Sequence, residues 1–111
     1  MDLNRLRKIG DAIVAPFPAG QNEEDRRSFK DLLKALVRDS NYPRIVIDLA
    51  GVSFFSSLDL GTLVFAMQDA RDRGKDLVIA CEDPRILQVF RATKMDTVFT
   101  ICDNVDLAAA G

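Results

Sequence analysis

The 111-residue chain contains no histidine. A Ser-His-Asp or Cys-His relay needs an imidazole to carry the proton near neutral pH, so such chemistry cannot be assembled within this chain and no catalytic residue is assigned. The two cysteines are too few for a disulfide framework, form no CxxC, and have no histidine to complete a metal site. Cys81 and Cys102 each end an apolar run, where a free thiol packs as a small hydrophobe. A reduced, cytoplasmic setting is the expectation. The chain also lacks an apolar run of membrane-spanning length and an N-terminal stretch of signal-peptide character, so a soluble, unprocessed protein is expected.

Glycine-rich phosphate loops are missing as well: Gly51 and Gly61 have neither Walker nor dinucleotide spacing, and no cofactor is expected. The formal charge of -2 provides no basic stripe for nucleic-acid phosphates, and Arg71, Arg73 and Lys75 read as the solvated end of a helix. Carboxylates are numerous, yet Glu23, Glu24 and Asp25 cluster at a helix start, where the dipole favours anions, and form no catalytic pair.

The size fits one domain, spanning residues 1–111, and 48% hydrophobic residues suffice for a core. "LNRLRKI" and "DAIVAPF" around Gly10-Asp11 predict a hairpin ended by Pro16 and Pro18. Asn22 opens a helix with Phe29, Leu32, Leu33, Leu36 and Val37 on one stripe. "RIVIDLAGVSFF" begins as a strand covered on both faces, the expected centre of the sheet. A helix from about Ser57 to Arg73 buries Leu60, Leu63, Val64 and Met67, with Gly74 as its C-terminal cap. "DLVIAC" is a second buried strand, and Asp83-Pro84 starts a helix with Ile86, Leu87 and Phe90 inward. "TVFTIC" is the last strand, and "NVDLAAA" a short terminal helix liable to fray. The alternation implies an α/β fold, a mostly parallel β-sheet packed with helices and preceded by an N-terminal β-hairpin.

Ligand sites of open parallel sheets lie at the C-terminal ends of the strands, where "AGVSFFSS" leaves the central one. Ser56 with Asp59 three residues on resembles a capping box, and Ser57 is the other possible cap. A hydroxyl there is also a place where an added phosphate meets free backbone N–H groups. Asp48 invites comparison with the phospho-acceptor of a receiver domain, but the acidic pair for a metal ion is missing, so a hydrogen-bonding role at the strand end is expected. Of the neighbouring apolar residues, Leu58 is the expected partner anchor, ahead of Phe54 and Phe55, which suit the core.

"RIVIDLAGVSFFSSLDLGTLV" with "RDRGKDLVIACEDPRILQVFRATKMDTVFTICDNVDLA" resembles the STAS domain of anti-sigma factor antagonists, over about residues 8 to 108. The resemblance implies a non-enzymatic protein that binds a serine kinase of the histidine-kinase-like ATPase class, the anti-sigma factor, and so frees a sigma factor. The kinase turns such proteins off by phosphorylating a serine in a pattern of Asp-Ser, a small residue, then Gly-Leu-Gly. On this chain Ser56 takes the place of the Asp, Ser57 that of the phosphorylated serine, Leu58 the small residue and Asp59 the first Gly, while Leu60-Gly61 match. Ser57, rather than Ser56, is the implied acceptor, and Ser56, Ser57, Leu58 and Asp59 the implied partner contacts. Asp59 adds a negative charge beside the acceptor, which is expected to repel a phosphate. The alternatives are a STAS subunit of a transporter ATPase or larger signalling complex, and a nucleotide-binding domain.

Overall fold

Ile45, Val46 and Ile47 are fully buried, as a strand with other structure on both of its faces requires. In the computed structural model, which describes residues 5–110, they belong to β3 (Arg44–Asp48), the middle of a five-stranded sheet. β1 (Arg7–Ile9) and β2 (Ala12–Pro16) form the expected antiparallel hairpin. Gly10 makes its turn possible with a φ of 58°, a value costly for residues with a side chain. Leu3 and Asn4, expected at the hairpin's start, lie outside the described residues. β2, β3, β4 (Asp76–Ala80) and β5 (Thr100–Cys102) run parallel in chain order, with Ile45 level with Ile13 and Leu77.

Right-handed crossovers between strands in chain order put every connecting helix on one face. α1 (Glu23–Asp39), α2 (Ser57–Asp72) and α3 (Pro84–Ala92) form that layer, with Phe29, Leu33, Leu63 and Phe90 packed into one core with Ile13, Ile45, Ile47 and Ile79. Leu32, Val64 and Leu87, expected in the same stripes, are only partly buried at its margin. The opposite face carries Val14, Val46 and Val78 beneath Ala108 of α4 (Val105–Ala110). α4 is anchored at both ends: the Asn104 side chain accepts the Leu107 N–H at 2.9 Å, and Arg44 donates to the Ala108 carbonyl at 3.2 Å.

Two ends depart from expectation. Lys75 is not a solvated charge: its ammonium donates to the carbonyls of Leu36, Val37 and Ser40 at 3.2, 2.7 and 2.6 Å, satisfying the C-terminus of α1, which has no glycine cap. The last strand begins at Thr100 rather than Thr97, because Met95–Thr97 form a 3-10 turn after Lys94, whose φ is 62°. The N–H groups of Val98 and Phe99 both donate to the Met95 carbonyl at 3.0 Å, so the chain turns back and buries Phe99 before it can pair with β4. No helix among the described residues is long and apolar enough to cross a membrane.

Candidate partner-binding site at the start of α2

The loop from β3 to α2 is shaped by what it buries. Asp48 ends the strand and its Oδ1 accepts the Ala50 N–H at 2.9 Å, the strand-end hydrogen bond expected of it. Leu49 and Val52 then point inward, and Ser53 donates twice to the Ala19 carbonyl, from its N–H at 2.9 Å and its hydroxyl at 2.8 Å. Phe55 is inserted between Phe17 and Phe90, with ring centroids 5.5 and 5.7 Å away. Phe29 and Phe99 extend the row at 4.9 and 5.6 Å. Five aromatic rings thus form a floor under the loop, at spacings where edge and offset contacts are attractive.

Ser56 is the N-cap of α2: its hydroxyl accepts the Asp59 N–H at 3.4 Å while the Asp59 carboxylate accepts the Ser56 N–H at 2.9 Å. This is a reciprocal capping box with Asp in the place of Glu. Asp59 is buried, and a carboxylate there requires a partner. Arg26, from the first turns of α1, supplies it through Nε at 2.7 Å and Nη2 at 3.2 Å. The same guanidinium donates to the carbonyls of Phe54, at 2.9 Å, and Gly20, and lies 5.4 Å from the Phe54 ring centroid and 5.6 Å from that of Phe17. One side chain therefore ties α1, the loop after β2, the β3–α2 loop and the start of α2 together.

The four residues singled out in the sequence are contiguous, but the fold gives them unlike surroundings. Ser56 and Asp59 are engaged with each other, whereas Ser57 is exposed in the first helical turn and Leu58 is 84% exposed. The N–H groups of Ser57 and Leu58 have no acceptor among the described residues. Asp59, expected among the partner contacts, turns inward, and its charge is offset by Arg26 instead of standing bare beside Ser57. The anticipated repulsion of a phosphate is correspondingly reduced. Phe55 is in the core, and Phe54, 39% exposed, lies under the guanidinium. Burial pushes the Cys81 thiol up, away from nucleophilic use. Among the described residues no group of histidine, cysteine or acidic side chains is arranged to hold a metal ion.

Arg26 is the member of the site that reading the sequence missed. Its one trace is its position: a cation in the first turns of a helix is disfavoured by the dipole, so an arginine following Glu23, Glu24 and Asp25 points to a partner elsewhere in the fold.

Residues 21–108 match the STAS domain family. Among solved structures, an anti-sigma-factor antagonist (STAS) domain protein from Planctomyces limnophilus has a TM-score of 0.81 and 22% sequence identity, covering 96% of this chain and 97% of its own. TM1081 of Thermotoga maritima gives 0.81 and 20%, over 95% of this chain and 90% of its own. The Bacillus cell fate determinant SpoIIAA, in its phosphorylated form, gives 0.70 and 11%, over 88% and 89%. At these identities the likeness establishes a shared fold.

Proposed function

The chain belongs to the STAS domain family, and from that premise we propose that it is an anti-sigma factor antagonist, acting by reversible binding to a kinase-type anti-sigma factor in a cytoplasmic, bacterial partner-switching system. It works by binding and catalyses nothing itself. The observation that carries this reading is the contrast between Ser57 and its neighbours. A free hydroxyl and a bare Leu58 stand side by side on a helix start held by Ser56, Asp59 and Arg26. Leu58 is the apolar anchor and Ser57 the phosphate acceptor. Its unpaired N–H and that of Leu58 face a phosphate at the positive end of the helix dipole. Phosphorylation places a charge of about -1.5 to -2 in the contact surface, where desolvation makes it unfavourable for binding.

The test is to purify the partner, incubate it with ATP and the chain, and map the product by mass spectrometry. Phosphate on Ser57, its loss in Ser57→Ala, and weakened binding by both Ser57→Glu and a folded Leu58→Arg are expected. A partner that is an ABC-type ATPase without kinase activity, or phosphate on Ser56, would overturn the assignment. Micromolar binding of ATP or GTP by the isolated chain would favour the nucleotide-binding alternative.

A further inference from the structure

Helix α2 carries more apolar surface than its packing uses. Leu60, Leu63, Met67 and Ala70 are buried, yet Phe65, about two turns beyond Leu58 and clear of the helix start, is 76% exposed. α1 has no such surplus, since its exposed positions carry charged residues of both signs and Ala35 but no large apolar side chain. Phe65 stands beside a groove of about 440 Å³ between the two helices, with the buried Leu33 and Val37 in its lining. Lys30 and Lys34 line its α1 side one helical turn apart. Arg38, the next in that row, is taken by Asp69 at 2.8 Å, whereas the two lysines have no acidic partner among the described residues. Asp72 is the one acid in the lining that is likewise outside those pairs. The groove is therefore net positive on a chain of net charge -2.

We propose that this groove docks an acidic amphipathic helix of a partner protein, its carboxylates meeting Lys30 and Lys34 and its apolar stripe covering Phe65. A helix suits the walls, because they are two parallel helices and the edges of the sheet lie elsewhere. From Lys30 to Arg38 the groove runs about 12 Å, two helical turns. Large exposed aromatics flanked by charge are the composition of interface anchors. The surface lies beyond the helix start assigned to partner switching and does not depend on that assignment.

The probe is a fluorescein-labelled, stapled helical peptide with a leucine stripe flanked by glutamates, together with its lysine-for-glutamate counterpart. Anisotropy measures affinity, and amide chemical shifts of the chain locate the contact. The acidic peptide should bind with shifts centred on Lys30, Lys34, Thr62 and Phe65, and the basic one at least about tenfold more weakly. Phe65→Ser and, separately, Lys30→Glu with Lys34→Glu should each weaken binding about tenfold or more with circular dichroism unchanged, while Ser57→Glu leaves it unaltered. Equal affinity for both peptides, no binding, or shifts confined to residues 49–58 would overturn the proposal. So would a wild-type dimer in sedimentation that Phe65→Ser dissociates, which would make the occupant a second copy, or tighter binding to anionic vesicles than to the peptide.

Discussion

Two helices start at the same edge of the sheet, and their caps are built differently. At α3, Asp83 accepts the Arg85 N–H at 2.9 Å and pairs with the Arg85 guanidinium at 2.9 Å, so cap and counter-ion lie within three residues and in water. At α2, Ser56 and Asp59 form the cap, and the counter-ion is Arg26, 33 residues away in the chain and mostly buried. The first arrangement serves its own helix. The second fixes a loop, two helices and the residues between them, which is why the α2 start can hold Ser57 and Leu58 at a defined place while leaving both free.

The largest effect that tests this difference is expected from Arg26. Arg26→Met leaves the Asp59 carboxylate without its counter-ion and should lower unfolding free energy in urea by about 3 kcal/mol. Arg26→Lys, which keeps the charge but cannot reach Asp59, Phe54 and Gly20 together, should recover only part of it. A double-mutant cycle with Asp59→Asn should give a clear coupling energy, whereas the matching cycle for Arg85 and Asp83 should give almost none, since exposed pairs contribute little. Equal couplings would erase the distinction.

Ser56→Ala comes next, at about 1 kcal/mol for a lost N-cap. Ser57→Ala should fall within about 0.5 kcal/mol of wild type, because Ser57 occupies the first turn and does not cap. A reversed order would mean that the neighbouring serine caps the helix. The smallest effect concerns pH. Hydrogen bonds from Arg85 hold the Asp83 carboxyl below its ordinary 3.8, and those from Arg38 and then Arg73 do the same for Asp69. A lowered folded-state value means stability that is present above 3.8 and is lost as pH falls through the depressed value. NMR titration should show the Asp83 value rising towards 3.8 in Arg85→Ala while that of Asp69 stays in place.

The α3 start was legible in the sequence because a capping Asp83 followed by Pro84 at the first helical position is a signal carried by adjacent residues. The hairpin and the buried strands were legible for the same reason: turn residues and β-branched runs act locally. Ser56 and Asp59 were legible as a pair but not in their burial. The Ser56-Asp59 spacing suggests a box, yet only Arg26, brought in from α1, provides the partner that a carboxylate turned inward requires. Lys75 and the Met95–Thr97 turn were misread because the carbonyls of α1 and the pocket for Phe99 come from other parts of the chain.

By itself the sequence determined the order of the elements, the mostly parallel sheet with its leading hairpin, and the location of two adjacent serines at a helix start. Those follow from local propensity, hydrophobic period and composition. Tertiary structure alone decided that Arg26 neutralises Asp59, that Ser57 and Leu58 stay exposed while Phe55 is buried, and that Phe65 stands by a lysine-lined groove. Each of these depends on residues brought together from distant parts of the chain, and neither an ion pair across 33 residues nor a cleft between two helices is written in any local pattern.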